Sequence, residues 1–398
     1  MEETESSTQL ILKETELLKT LLDYTRNNAF AVAAWSLPND DSITVIVSEK
    51  PEYIARETAL EDLPPGYLFA PYNRRKDSLF LQADYTFRLS NGQLVTPSNE
   101  AESKSVEWLS GVIQRNATTR NSSPAPRPER IEDYSREHYV NMVHAALAEV
   151  EAGTFEKVVP SRRKLVQLPG EFDPISAFLK LCKAYSHAFV SITSSPQTGT
   201  WLGASPEELV RVFDRTIFKT VALAGTQPYI EGQNLRDVSW TQKEIEEQAL
   251  VERYIISCFK KIRLREYDEF GPKTVIAGNL MHLRSEFTVN MKETNFPQLG
   301  TVMLQLLHPT SAVCGMPLEP AQAFIEKHEG YDRGFYSGFL GPVNIDNQIN
   351  LFVNLRCTEV FEGSAVLYAG AGVTIDSVPE KEWEETEMKM NTMLSLIQ

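Results

Sequence analysis

The sequence predicts an α+β protein. Short β-rich runs punctuated by Pro, Asn and Asp lie beside separate stretches whose apolar residues recur at helical spacing. The composition is that of an ordinary globular chain, 42% hydrophobic, 10% aromatic and 23% charged over 398 residues. Such a length can bury a large core, as one big domain or two.

A first helix is expected over about residues 8–26, with Leu10, Leu17, Leu18 and Leu21 among its apolar positions. Strand-like runs follow at 29–35, 43–48, 67–72 and 79–89, separated by LPNDD and LPPG. None of these runs carries recognisable chemistry, so this part reads as structural. After a short helical stretch at 106–113, the run NATTRNSSPAPRPER (116–130) is polar, proline-rich and aperiodic, the signature of a surface loop or linker.

The next helix, 132–151, has Tyr139, Val143, Ala146 and Val150 on one side and is stopped by Gly153. FEKVVPSRRKLVQL then reads as one long strand in which Phe155, Lys157 and Val159 share a face. Lys157 admits two readings. It is a desolvated amine suited to act as a base, or an edge-strand lysine that blocks aggregation, and Pro160 favours an edge or a bulge. A helix at 174–185 leads to FVSIT and WLGASPEELVRV, where Glu207 sits on a turn just after Ser205 and Pro206. Burial would make it a general acid; otherwise it is a turn residue. The strand in TVALAGTQPY ends at Gly225 and Thr226, where backbone can approach a ligand closely.

Thr241 opens another helix, and TQKE fits a capping box of Thr241 with Glu244. Glu244 and Glu247 are three apart and so neighbours on its surface, although capping explains Glu244 without any metal. His282, His308, Arg333, Tyr336 and Arg356 follow in strand or loop settings. An arginine at a strand end suits bidentate recognition of a carboxylate. Near the end, LYAGAGVTIDSVPEKEWEETEMK joins a strand, the glycines Gly370 and Gly372, and a last helix opened by Pro379. Glu382, Glu385 and Lys389 share one narrow face of that helix, beside an apolar stripe of Trp383, Met390, Leu394 and Ile397. Open backbone N–H groups followed by paired carboxylates suit an anion and a divalent cation together; the alternative is a solvated face of Glu/Lys pairs.

A formal charge of −15 argues against nucleic acid or an anionic membrane as the main partner. Cys182, Cys258, Cys314 and Cys357 are scattered without metal-ligand spacing and read as reduced packing residues. The acidic start MEETESSTQL lacks the features of a signal peptide, and no apolar run is long enough to cross a bilayer. A cytoplasmic location is therefore expected. Six histidines without HxH or HExxH spacing speak against zinc, and there is no GxSxG elbow, Walker loop or dinucleotide fingerprint.

The order of the pieces is specific. FEKVVPSR, LGASPEEL, LAGTQ, KEIEEQALV, NLMHL, LLHPTSAVCGMP, YDRGFYSGFLG, LRC, YAGAGV and EWEETEMK together resemble the chorismate-utilising enzymes, most of all the isochorismate synthases. The resemblance runs from about residue 132 to the C-terminus. It implies a chorismate-binding fold with two layers of mostly antiparallel sheet flanked by helices. Residues 1–115 form an N-terminal segment of the same compact body, 116–130 a loop, and 131–398 the catalytic region.

The implied chemistry adds water at ring carbon 2 of chorismate while the hydroxyl at carbon 4 departs. By resemblance Lys157 is the base and Glu207 the acid. Glu247 and Glu385 match the family's magnesium ligands, with Glu244 and Glu382 beside them. Arg356, Tyr336, Gly370 and Gly372 match positions that hold the substrate's carboxylates, Lys389 another positive contact, and Gly225, Thr226, His282 and Thr310 the pocket lining. The family contains working monomers, so a monomer or weak homo-oligomer is expected.

Within the family, aminodeoxychorismate-type members often carry a nucleophilic lysine where this chain has Ala224. Aminating members usually read Phe-Pro where it has His308-Pro309, and Gly-Ala-Pro-Lys where it has Gly315-Met316-Pro317-Leu318. Salicylate synthase is the closer rival because it makes isochorismate and then eliminates pyruvate at the same site, and its EFEET-like ending is similar to EWEET. Pro160 and Glu384 depart from the commoner pattern. A silent anion-binding protein on this fold is the reading from outside the enzyme class.

Overall fold

Runs such as AVAAWS and ITVIVS carry no polar alternation, and strands of that kind are stable only where both faces are covered. In the computed structural model, which describes residues 13–116, 135–277 and 280–397, these two strands, Ala31–Ser36 and Ile43–Ser48, are buried along their whole length. The described residues form two large antiparallel sheets of nine strands each. The first runs Gln93–Leu94, Tyr85–Ser90, Ile43–Ser48, Ala31–Ser36, Phe189–Ser195, Gly199–Ser205, Cys357–Phe361, Ser364–Gly370 and Ser161–Gln167. The second runs Asp268–Ala277, Leu280–Asn290, Ile217–Pro228, Glu208–Phe213, Gln348–Val353, Phe339–Ile345, Gly66–Ala70, Ser78–Gln82 and Glu52–Ile54. Each sheet mixes strands from the first hundred residues with strands from beyond residue 188.

Helices cover the outer faces. Glu14–Asn27, Pro174–Ala184 and Pro379–Ile397 press Leu17, Leu21, Phe178, Leu181, Met390 and Met393 onto the first sheet. Gln242–Lys261 and Leu299–Leu307 press Val251, Ile255, Phe259 and Met303 onto the second. Between the sheets lies an aromatic layer that includes Trp35, Tyr67, Phe69, Phe189, Trp201 and Phe352, with Phe189 and Phe352 stacked at 4.3 Å. This is the expected α+β architecture of two antiparallel layers flanked by helices.

Local chemistry sets the helix starts. Asp173 accepts from the Ser176 N–H at 3.0 Å with Pro174 in the first turn, and Ser135 accepts from the His138 N–H at 3.1 Å. The helix after Ser135 spans Arg136–Glu151. The expected loop at 116–130 falls outside the described residues, apart from Asn116 at the end of the helix Glu100–Asn116. Positions 8–12 of the first expected helix and 132–134 of the third lie outside them too.

Three strand expectations are corrected. The run at 79–89 is two strands in different sheets, parted at Ala83 and Asp84, where Asp84 turns aside to accept the Glu49 N–H at 2.8 Å. The strand expected to end at Gly225 continues to Pro228 and instead bulges at Gly225 and Thr226 against Leu280–Asn290. The single strand expected from Phe155 breaks at Pro160. Lys157–Val158 pairs with Gly315–Met316, and Ser161–Gln167 starts afresh beside Ser364–Gly370. Proline has no N–H for a ladder, and its carbonyl here serves the Tyr139 hydroxyl (3.2 Å) and the Ala371 N–H (3.3 Å).

A buried ion pair clamps this break. Arg333 donates to the carbonyls of Val159 and Val313, both at 2.8 Å, and through Nε to Glu329 at 2.8 Å. Glu329 in turn accepts from the Ser161 N–H (2.7 Å) and hydroxyl (2.9 Å). Both side chains are almost wholly buried, and the guanidinium lies 4.4 Å over the Tyr72 ring. Removing one partner strands the other without water. Arg333→Met is therefore expected to lower stability by about 3–5 kcal/mol. Thermal unfolding measures this, with Arg333→Met/Glu329→Gln recovering part of the loss; a single variant that melts like the parent would show the clamp to be dispensable.

Candidate active site

The strand break, the bulge and the glutamate turn converge on one cavity. Its wall takes Glu207 from the turn between Gly199–Ser205 and Glu208–Phe213, Gly225 and Thr226 from the bulge, and His282 from the neighbouring strand. Glu247 comes from the helix Gln242–Lys261, Glu385 and Lys389 from Pro379–Ile397, and Tyr336, Arg356 and Gly370 from the loops and strand ends between. The cavity is small, about 90 Å³. A larger one of about 520 Å³ lies across Glu247, among Val150, Phe155, Leu250 and Arg253. The smaller one is the candidate site because the buried Glu207 and His282, both with strongly shifted pKa values, face it.

Glu207 is buried, and its Oε1 accepts from the Thr310 hydroxyl at 2.9 Å. Burial raises its pKa to about 7, against the pull of that hydroxyl and of the Lys157 and Lys389 ammonium groups. It can hold a proton near neutrality. His282 is fixed by a contact of 2.9 Å from Nδ1 to the Gly225 carbonyl, which puts the proton on Nδ1. Burial, with Arg356 adding to it, pulls its pKa down to about 4. Among the described residues its Nε2 is buried without a partner, an open acceptor in the wall of the site.

Lys157 is 1% exposed and donates to Glu247 Oε1 at 2.7 Å. Burial alone would raise the Glu247 carboxyl, but Lys157, Lys389 and Lys243 outweigh it and hold it at about 2. Space for the Lys157–Glu247 pair comes from Gly372: a Cβ there would stand 2.9 Å from Lys157 Cε and 3.3 Å from Glu247 Oε1. Gly225 serves the other side. It has φ +66°, and a Cβ would come within 3.3 Å of Glu244 Cβ, so its absence lets the start of the helix Gln242–Lys261 approach.

The last helix does two things at once. Glu385 pairs with Lys389 at 2.6 Å, the i, i+4 arrangement of a surface helix, while Glu382 is 1% exposed and pairs with Lys243 at 3.2 Å. Lys389 also donates to the Gly370 carbonyl at 2.9 Å. Burial and the neighbouring Glu385 charge raise the Glu382 pKa against the pull of Lys243 and the Ser377 hydroxyl, and among the described residues its Oε2 is buried without a hydrogen-bond partner of normal geometry. Among the described residues no three His, Cys, Asp or Glu side chains converge into a preformed metal cluster. The carboxylates Glu247, Glu382 and Glu385 each hold a lysine instead. A buried carboxylate oxygen without a donor of normal geometry, next to a second carboxylate, still fits a divalent cation.

Five of the site residues implied by the resemblance stand off the cavity wall. Lys157 and Gly372 reach it through Glu247, Thr310 stands behind Glu207, and Glu382 stands beside Glu385. Glu244 is engaged by the Thr241 N–H (2.7 Å) and Gln227 (2.9 Å). The reading from sequence missed Lys243, whose place inside TQKE suggested only capping, and the lining residue Tyr368, stacked on Tyr336 at 5.2 Å. Strand alternation would have put Tyr368 on one face with Val366, without saying which face meets a ligand.

A protonatable carboxyl, a buried amine, an arginine and a carboxylate cluster around one cavity define an acid–base enzyme for a small anion. A model of chorismate binding enzymes matches residues 75–398, and the chain belongs to that family. The isochorismate synthase DhbC of Bacillus subtilis is 31% identical over 293 residues, 71% of either chain. The vibriobactin-specific isochorismate synthase of Vibrio cholerae is 28% identical over 264 residues, 65% of this chain and 64% of its own, just under two thirds. Among solved structures, MenF, the menaquinone-specific isochorismate synthase from Escherichia coli, is similar in fold with a TM-score of 0.73 at 21% identity, over 95% of this chain and 91% of that one. Anthranilate synthase component I from Streptococcus pneumoniae matches at 0.68 and 17%, over 98% and 100%.

Gly372→Ala tests the packing of the site. The added methyl would stand 2.9 Å from Lys157 Cε, so the amine must shift relative to Glu247, and turnover is expected to fall by up to about 10²-fold. The melting temperature, read beside the rate, should barely move.

Proposed function

We infer that the chain is an isochorismate synthase, converting chorismate to isochorismate. The observation that carries this is Glu207, a buried carboxyl still protonated near neutrality, in the same cavity system as the buried amine of Lys157. Lys157, freed from Glu247 as substrate binds, takes a proton from the water that attacks ring carbon 2. The ring double bond shifts, the hydroxyl at carbon 4 leaves, and Glu207 gives it the proton that makes it water. One water enters and one departs, so the net reaction is an isomerisation. Ala224 lines the cavity without a nucleophile of its own, which supports attack from solvent.

Arg356 and Tyr336, with the backbone around Gly370 and the Lys389 ammonium, hold the substrate's carboxylates. Thr226 and His282 Nε2 face the ring's polar groups. Magnesium would be held by Glu247 and Glu385, with Glu244 and Glu382 supporting, and would neutralise the ring carboxylate. A dicarboxylate in this cavity takes over contacts that its lysines and glutamates now make with one another. We place the protein in the cytoplasm, acting as a monomer or weak homo-oligomer; its four cysteines are free thiols, and no helix among the described residues is long and apolar enough to cross a membrane.

Purified protein incubated with chorismate, with and without magnesium and ammonium, is expected to give isochorismate alone, dependent on magnesium and indifferent to ammonium. Salicylate with pyruvate would move the reading to a salicylate synthase, anthranilate would overturn attack by water, and no turnover would favour the silent binder. Glu207→Gln and Lys157→Ala should each lower kcat by about 10²–10⁴-fold. Because Glu207 acts protonated, kcat should fall as pH rises through about 7. Glu385→Ala should raise the magnesium needed for half-maximal rate by about 10–100-fold.

A further inference from the structure

Thr310 touches the acid and not the cavity. Its hydroxyl meets Glu207 Oε1 at 2.9 Å, yet its side chain is not part of the wall that Glu207, Ala312 and Val313 form. Among the described residues, Glu207 Oε2 accepts no hydrogen bond. The two oxygens of one carboxyl are thus made unequal by a single donor.

That donor is rigidly set. The Thr310 carbonyl accepts from the N–H groups of Val313 (3.1 Å) and Cys314 (2.9 Å), and the Pro309 carbonyl lies 3.4 Å from the Tyr254 hydroxyl. His308 is held at both ring nitrogens, by Arg56 at Nδ1 and by the Ser337 carbonyl at Nε2 (3.0 Å). Burial and the Arg56 charge keep that imidazole neutral.

Building on the reading of Glu207 as general acid, we propose that Thr310 is its positioning residue: the hydroxyl donates to Oε1 and so keeps the acidic proton on Oε2, toward the leaving hydroxyl. The same bond strengthens as that proton departs, since a donor to a carboxylate is worth more than a donor to a neutral acid. Its effect therefore falls on the transition state more than on substrate binding. Lys157, Lys389, His282, Arg356, Glu247, Glu385, Tyr336 and Tyr368 are the other titratable groups around Glu207, and none is hydrogen-bonded to it. Replacing Thr310 leaves all of them in place.

The test compares chorismate turnover against pH in the full chain, Thr310→Val and Thr310→Ser. The valine variant keeps the branched shape and loses the donor. It is expected to lose about 10–100-fold in kcat with KM within about twofold, the size of one hydrogen bond to a charged group. Its alkaline limb should move to higher pH, because a bond that favours the carboxylate is gone. The serine variant should match the parent in both respects. A raised KM with unchanged kcat would make Thr310 a substrate contact, an unmoved limb would disconnect it from Glu207, and a serine variant as impaired as the valine one would assign the effect to shape; each overturns the proposal. Should the valine variant not fold, infrared difference spectra of the parent against Glu207→Gln at acidic pH decide. A carboxylic C=O stretch at hydrogen-bonded frequency supports the bond, and one at the free frequency overturns it. A parent that makes no isochorismate would instead defeat the functional reading itself.

Discussion

Arg333 and Glu329 are buried together at the strand break, and the site takes its shape from the groups they hold. One guanidinium binds the carbonyls of Val159 and Val313, and its carboxylate partner binds Ser161. Val159 and Ser161 flank Pro160, where the chain stops pairing with Gly315–Met316 and joins the first sheet. Val313 belongs to the loop that carries Thr310 up to Glu207. The amine side and the acid side of the cavity are therefore referred to one ion pair. Such a pair is weak evidence for net stability against an apolar isostere, but with both partners also hydrogen-bonded to the surrounding backbone it fixes a single geometry.

Charge is handled locally against the chain's overall sign. A molecule of formal charge −15 places Lys157, Lys243, Lys389 and Arg356 around a cavity meant for an anion. Three of the four are already paired with carboxylates, so the site is near electrical balance before anything binds. Bringing in a dianion alone would upset that balance, whereas a dianion with a divalent cation would leave it unchanged.

Much of this was readable from residues in order. Pro379 at a helix start, Thr241 with Glu244 at another, and Glu207 after Ser205 and Pro206 are local signals, and the structure has them where local chemistry puts them. The long-range partners were not readable. Nothing in FEKVVPSR says that Pro160 splits the run, because the clamp that stabilises the split comes from Glu329 and Arg333, more than 160 positions later. Asp84 likewise parts one apolar run into two sheets through a bond to Glu49 that periodicity does not register. Lys243 was hidden by a sufficient local explanation. Its neighbours make a helix cap, and only the packing of a second helix shows that its side chain meets Glu382.

Two of the cavity's three glutamates, Glu207 and Glu247, show how one residue type takes two protonation states. Glu207 sits beside Pro206 and Val313 with a single neutral donor, and its pKa rises to about 7. Glu247, on the same wall, bonds to Lys157 and feels Lys389 and Lys243, and it is held at about 2. Burial pushes both upward, although Glu247 keeps 26% of its side-chain exposure; the number and closeness of cations decides the difference. A carboxyl that keeps its proton can give one to a departing hydroxyl, and one that never holds a proton can hold a cation. Exchanging those surroundings would exchange the roles. The division of labour therefore resides in the strand break and the helix starts that set each neighbour, and the glutamates themselves are interchangeable in kind.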